Sequence, residues 1–201
     1  MVILNGGVIM IENIRIYARE NNIPIMMDDG MEFLCKYIKK NKYKKILEIG
    51  SAIGYSAIRI SMTSEDVVVT TLEKDDARYN QAVKNIKECG KEDKINIHLI
   101  DALEYTPEEK FDLIFIDAAK SKNIPFFEKY KEYLNTGGSI VTDNMLFHGL
   151  VEDSEMIETK NQKKLVEKII KYKEFLDNNT EYETKHYSLG DGVSVTKRVG
   201  E

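Results

Sequence analysis

Apolar and polar positions along the chain follow two periods in alternation. The runs KKILEIG (44–50), DVVVTTLE (66–73), INIHLID (95–101), FDLIFID (111–117) and SIVTD (139–143) are short, nearly continuous and rich in β-branched residues. That is the pattern of strands buried on both faces. Between them lie segments with helical spacing. DDGMEFLCKYIKKN (28–41) places Met31, Leu34, Cys35 and Ile38 on one face, and YSAIRISMT (55–63) follows the first strand. DARYNQAVKNIKECG (76–90) closes on Gly90, PFFEKYKEYLNTGG (125–138) on a glycine pair, and KNQKKLVEKIIKYKEFLDNN (160–179) is a long amphipathic helix. YARENN (17–22) belongs to a short helix that Pro24 ends. Near the C-terminus, YETKHYSL and GVSVTKR flank GDG (190–192), which reads as a hairpin turn.

Strands that alternate with helices predict βαβ units, hence an α/β fold with a mostly parallel sheet and helices on both faces. Five such strands and a closing antiparallel hairpin make seven. No repeat, low-complexity tract or linker divides the sequence. One domain is expected over 1–201, with 1–44 as an N-terminal helical cap and 45–201 as a Rossmann-like core.

Composition narrows the class. The chain has 201 residues, 42% hydrophobic and 31% charged, as in soluble globular domains. The formal net charge of −5 offers no global field for nucleic acid. One basic stretch, KYIKKNKYKK (36–45), has six lysines and no acid, and reads as a solvated helix end and loop. Two cysteines, Cys35 and Cys89, form neither a disulfide framework nor a zinc spacing. No segment has the length and apolarity of a membrane helix or the layout of a signal peptide, so no membrane partner and a cytoplasmic location are expected.

Open parallel sheets bind ligands at the carboxyl ends of their strands. Gly50, Glu73, Asp101, Asp117, Asp143 and Asn144 all fall there. In LEIGSAIGYS (47–56) a strand runs into Gly50 and then Gly54, and Glu73 closes the next strand 23 residues after Gly50. That spacing suits a carboxylate that accepts ribose hydroxyls. The dinucleotide pattern G-x-G-x-x-G fails, because Ala52 and Tyr55 stand at its second and third glycines. Glu48, two residues before Gly50, suits a cationic ligand. S-adenosylmethionine is therefore favoured over NAD, with Glu48, Gly50, Ser51, Gly54, Tyr55, Glu73, Asp101, Ala102 and Asp117 as candidate cofactor-binding residues. Asp117, Asp143 and Asn144 are hard oxygen donors that suit Mg²⁺, Mn²⁺ or Ca²⁺ rather than zinc. Such an ion lowers the pKa of a bound hydroxyl, and Lys120, with Asp117, forms the candidate catalytic pair as base and metal-binding acid. Taken singly, Asp117 reads as a helix cap, Asp143 and Asn144 as a turn, and Lys120 as a surface lysine. Their convergence on one rim reverses that. The three histidines show no metal spacing: His98 is placed in a strand and His186 in the hairpin, and for His148, close after Asn144, a place at the substrate mouth is the minority reading.

The segments ILEIGSAIGYSAIRIS, TTLEKDDARYNQAVKNI, DLIFIDAAKSK and GGSIVTDNMLFHGLV resemble the metal-dependent class I O-methyltransferases related to catechol O-methyltransferase, from about Ile23 to Arg198. The resemblance implies a class I methyltransferase fold, metal binding by Asp117, Asp143 and Asn144, Lys120 as base, and cofactor contacts at Met26, Ser56, Glu73, Asp101 and Ala102. IPIMMDDGMEFL, FIDAAK, TDNMLFHGLV and LGDGVSVTKR look closest to bacterial tRNA 5-hydroxyuridine methyltransferases, whose substrate bears a hydroxyl beside a carbonyl. This implies a tRNA anticodon loop as partner, with wobble 5-methoxyuridine as product, and a homodimer. The rival substrate is a small catechol-like phenol. Remoter alternatives are a non-catalytic nucleotide-binding protein and an NAD-dependent oxidoreductase. Relatives carry an N-terminal helix that MVILNGGV does not resemble, so the chain is expected to start at Met10 or to pack this segment differently. KNQKK in the long helix replaces arginines with lysines, which lack their bidentate grip on phosphate.

Overall fold

The computed structural model describes residues 2–200. Its elements run α1 (Val2–Glu20), α2 (Asp28–Asn41), β1 (Lys45–Ile49), α3 (Tyr55–Ser61), β2 (Val68–Glu73), α4 (Asp76–Glu88) and β3 (Ile95–Leu99). They continue with β4 (Phe111–Ile116), α5 (Asn123–Tyr130), β5 (Leu134–Thr142), α6 (Lys160–Asp177), β6 (Tyr182–Tyr187) and β7 (Val193–Arg198). The strands form one sheet in the order β3-β2-β1-β4-β5-β7-β6. The first five are parallel, and β7 runs antiparallel to both β5 and β6. This is the expected Rossmann-like methyltransferase architecture. The strand order reverses between β1 and β4, which opens a crevice at their carboxyl ends.

Strand alternation supplies two cores, one on each face of the sheet. Ile46, Leu113 and Phe115 point to the face covered by α2 and α3, where they meet Met31, Leu34, Ile38 and Ile58. Leu47, Ile114 and Ile116 point to the other face, against Phe127, Tyr172 and Leu176 of α5 and α6. A polar clasp joins α2 to β5: the hydroxyls of Tyr37 and Tyr43 each lie 2.8 Å from Ser139 Oγ. Helix starts are capped by sequence-local groups. Asp75 accepts the Arg78 amide at α4, and Thr159 and Gln162 form a capping box at α6.

Two expectations are corrected. The helix expected only around 17–22 is the end of α1, which runs from Val2, so the N-terminal segment is helical after all. The Gly6–Gly7 pair hides it from the sequence, since each mid-helix glycine costs about 1 kcal/mol relative to alanine. Packing of Ile14 and Ala18 into the core offsets that cost. The glycine pair 137–138 is likewise no helix stop: α5 ends at Tyr130 and β5 already begins at Leu134. The pairing of β4 with β5 shifts register between Phe111 and Leu113. A Cβ on Gly138 would stand 2.8 Å from the carbonyl oxygens of Asp112 and Asn135, so the close strand approach there requires glycine.

The lysine-rich stretch ends α2 and enters β1, at the end of the sheet opposite the crevice. There Lys36, Lys44 and Lys45 pair with Glu32, Asp66 and Glu109. Among the described residues no helix is long and apolar enough to cross a membrane.

Phe127 is fully buried and meets Phe175 and Tyr182 edge to face. Phe127→Ala is expected to lower unfolding stability by about 3–5 kcal/mol, read from urea denaturation.

Candidate functional site

The hydrogen-bond ladder continues one step beyond the strands and fixes the rim. Gly50 and Ser51 donate to Leu72 O at 3.0 and 3.1 Å, Asp117 N to Ile49 O at 3.0 Å, and Asp143 N to Ile116 O at 3.1 Å. Each loop therefore leaves its strand in a defined direction. Gly50 has φ 101°, and a Cβ there would stand 2.2 Å from Asp117 O. Only glycine allows the β1 turn to lie this close to the end of β4.

A cavity of about 340 Å³ opens over this rim. Met26, Gly50, Ser51, Tyr55, Ser56, Glu73, Asp101, Ala102, Asp117, Lys120 and Asn144 line it, as do Lys74, Arg78, Lys122 and Phe126. Glu73 is held by three backbone amides: Ala52 N donates to Oε2 at 2.8 Å, and Lys74 N and Asp75 N donate to Oε1 at 2.9 Å. Its carboxylate is thus fixed, with lone pairs to spare for a ligand hydroxyl. Ser51 Oγ is buried in the cavity wall with no hydrogen-bond partner. Such an orphaned hydroxyl fits a polar ligand.

Two expected cofactor residues do not reach the cavity. Gly54 has φ 81° at the start of α3 and abuts Ala82 of α4, so its role is close packing. Glu48 lies beneath the floor, 0% exposed, where Thr71 donates its hydroxyl to Oε2 and Oε1 lacks a close partner. Burial pushes the Glu48 carboxyl up to about 7, against the pull of the Ser56 and Thr71 hydroxyls. His148 does not line the cavity either; its ring is exposed.

Beside the cavity, the ends of β4 and β5 meet the β6–β7 turn. Asp117, Asp143 and Asp191 are gathered there with one cation, Lys120. Burial pushes Asp117 up to about 6, with Asp191 adding to the rise and Lys120 opposing it. Burial, and then the charge of Asp117, push Asp143 well above the usual carboxylate range. Lys120 Nζ donates to Asn144 Oδ1 at 2.5 Å, and Asn144 Nδ2 faces Asp143 Oδ2 at 3.2 Å and Asp191 Oδ2 at 3.3 Å. Asn144, Phe147 and His148 all have positive φ, at 61°, 47° and 55°. Non-glycine residues held this way mark a strained loop. The structure thus brings Asp117, Lys120, Asp143 and Asn144 together. Asp191 escaped the sequence reading because GDG carries every mark of an ordinary turn; the one available signal was an acid in a turn that caps a sheet whose rim is already acidic.

These side chains fit a divalent cation. Hard oxygen donors crowd one another, and their mutual repulsion is relieved by a bound positive charge. Among the described residues no three His, Cys, Asp or Glu side chains form a metal-binding group by themselves. Asp117, Asp143 and the amide oxygen of Asn144 are the residues that would hold such an ion.

Comparisons with known proteins show which chains this one is similar to. The O-methyltransferase family model matches residues 7–199. A caffeoyl-CoA O-methyltransferase of Populus kitakamiensis is 30% identical over 192 residues, covering 91% of this chain and 81% of that protein. The structure of a candidate caffeoyl-CoA O-methyltransferase from Staphylococcus aureus superposes with a TM-score of 0.89 at 34% identity, covering 94% of this chain and 91% of the other. TomG of Streptomyces achromogenes, solved in complex with S-adenosylmethionine, shares the fold at a TM-score of 0.79 and 20% identity, over 95% and 90% of the two chains.

Two measurements test the site. Gly50→Ala is expected to weaken S-adenosylhomocysteine binding at least tenfold by calorimetry. Gly90→Ala, whose Cβ meets nothing within 4 Å, is expected to cost only about 1 kcal/mol of stability and to leave binding unchanged. Glu48 titrates near 7 in the folded chain against an ordinary 4.5, so the folded state holds the extra proton between those values. Stability from this residue is full below about pH 4.5 and drains as pH rises to about 7. Glu48→Gln is expected to shrink the loss of stability between pH 5 and pH 8 by an amount on the order of 3 kcal/mol. An unchanged pH slope would contradict the buried-acid assignment.

Proposed function

The chain belongs to the O-methyltransferase family, and from that premise we propose that it methylates one hydroxyl of a small catechol-like acceptor, with S-adenosylmethionine as donor. The observation that carries this reading is the convergence of Asp117, Asp143, Asn144 and Lys120 beside a cavity built for a nucleoside. S-adenosylmethionine supplies an electrophilic sulfonium methyl and a ribose. Glu73, fixed by three amides, accepts the ribose hydroxyls, and the bare backbone at Gly50 lets the donor approach. Asp117, Asp143 and Asn144 would hold Mg²⁺, Mn²⁺ or Ca²⁺, which when bound would supply Lewis-acid lowering of a hydroxyl's pKa. Lys120 lies 2.5 Å from Asn144 Oδ1, and in its neutral amine form would take the acceptor proton at Nζ as the acceptor oxygen bonds the methyl carbon, the carbon–sulfur bond breaks and S-adenosylhomocysteine leaves. The walls formed by Met26, Tyr55 and Phe126 keep water from the methyl group.

The second reading is the wobble 5-hydroxyuridine of tRNA, whose 5-hydroxyl and C4 carbonyl present a like oxygen pair. Lys74, Arg78 and Lys122 along the cavity suit a phosphate-bearing acceptor, which tRNA and a coenzyme A ester are and caffeic acid is not. The relatives named for caffeoyl-CoA support the small phenol, and the lysine-rich stretch lies at the wrong end of the sheet for an acceptor entering this cavity.

Labelled methyl transfer separates these readings. Caffeic acid or caffeoyl-CoA is expected to be methylated and a monophenol analogue not. Lys120→Ala and Asp143→Ala are each expected to lower kcat at least about 100-fold with stability retained. Transfer to hydroxyuridine-containing tRNA alone would establish the second reading; equal rates on the monophenol would contradict the oxygen-pair requirement.

A further inference from the structure

Asp191 belongs to a hairpin turn, yet its surroundings are those of a working residue. It is 4% exposed, although it sits between Gly190 and Gly192 in a two-strand connection where acids normally face water. Both of its oxygens face the loop after β5, and Oδ2 also lies 3.8 Å from Nδ1 of the exposed His148 ring. Oδ1 accepts the backbone N–H of His148, and Oδ2 lies 3.3 Å from Asn144 Nδ2. The main chain of the same turn grips the same loop: Leu146 N donates to Asp191 O at 2.8 Å, and Met145 N to Gly192 O at 3.0 Å. A Cβ on Gly192 would stand 2.8 Å from Leu146 N, so the turn and the loop are packed backbone to backbone.

The loop held in this way is the strained one, with positive φ at Asn144, Phe147 and His148. Nothing within the loop accounts for Asn144 presenting its oxygen toward Lys120. The neighbours do. A lysine ammonium only donates, so it must face Oδ1; carboxylates only accept, so they must face Nδ2. Asp143 comes from the adjacent residue and Asp191 from 47 positions away. We propose that Asp191 is a positioning residue: it clamps the Asn144 amide by its nitrogen, and holds the strained loop by the His148 amide, so that Oδ1 is offered to the cation side of the site.

This proposal rests on the reading of Asn144 as a donor in the methyl-transfer site. Asp191 does not line the cavity, so its effect passes through Asn144 and the loop rather than through the cofactor. Removing the clamp leaves Asp143 as the one remaining carboxylate on Nδ2, so the amide more readily turns its NH₂ toward a cation, which it cannot ligate.

The test is a double-mutant cycle on the full chain with Asp191→Asn and Asn144→Ala. Asp191→Asn keeps the shape of the turn and can still accept from His148. It is expected to lower kcat and Mn²⁺ affinity at least tenfold each, the latter read by calorimetry on the enzyme without acceptor. The KM for S-adenosylmethionine and the thermal midpoint are expected to stay at the wild-type values. In the double variant the loss is expected to match that of Asn144→Ala alone, because both act through one amide. Asp191→Glu is expected to recover part of the loss. Wild-type kcat in Asp191→Asn, or losses in the two single variants that simply add, would overturn the proposal. A fall in cofactor affinity and thermal midpoint as large as the fall in kcat would also overturn it, reducing Asp191 to a fold-stabilising turn residue. If the wild-type chain binds no Mn²⁺, the cation reading of the site fails, and the cycle on kcat still decides whether Asp191 acts through Asn144.

Discussion

Three carboxylates, Asp117, Asp143 and Asp191, gather where the ends of β4 and β5 meet the β6–β7 turn, with Lys120 bonded to Asn144 beside them, and the rest of the site is arranged around that crowding. Asp143 and Asp191 are buried; desolvation raises the pKa of both Asp117 and Asp143, the charge of Asp117 adds to the rise at Asp143, Asp191 adds to both, and Lys120 opposes each. A fold does not gather buried like charges for stability, since each loses hydration and repels the others. Such a cluster is tolerated where a ligand completes it. The strain in the loop 144–148 lies in the same place, and the β6–β7 turn is bonded to that loop at four points through Asp191 and Gly192.

The site has two halves that share one contact. In the proposed reading the ends of β1 and β2 form the nucleoside half, with a bare glycine turn, an orphaned serine hydroxyl and a carboxylate fixed by three amides, and the ends of β4 and β5 form the transfer half. Gly50 and Asp117 touch backbone to backbone at the reversal of strand order, so the distance between donor and acceptor is set by the sheet rather than by flexible loops. Proximity of this kind is what a methyl transfer needs from a protein that forms no bond to either reactant.

Much of this was legible in the residues. The strands were visible because their β-branched runs were short and continuous, and the rim followed because Glu73, Asp101, Asp117 and Asp143 each end such a run. The N-terminal helix was hidden by Gly6 and Gly7, whose low propensity is overridden by burial of Ile14 and Ala18. The glycine pair at 137–138 looked like a helix stop because its real cause, the close approach of β4 to β5, is a tertiary contact. Glu48 carried the right charge in the right motif but points beneath the cavity floor, and strand alternation alone does not say which face a ligand uses. Asp191 was invisible for the opposite reason: a sequence-remote partner gives it its meaning, while its neighbours explain it away as a turn.

The central claim, that Asp117, Asp143 and Asn144 enclose one divalent cation next to the methyl donor, is tested most directly by anomalous diffraction from crystals grown with Mn²⁺ and S-adenosylhomocysteine. A single strong anomalous peak bounded by those three side chains is expected. No peak there, with Lys120 still seated on Asn144 Oδ1 and the carboxylates unligated, would contradict it.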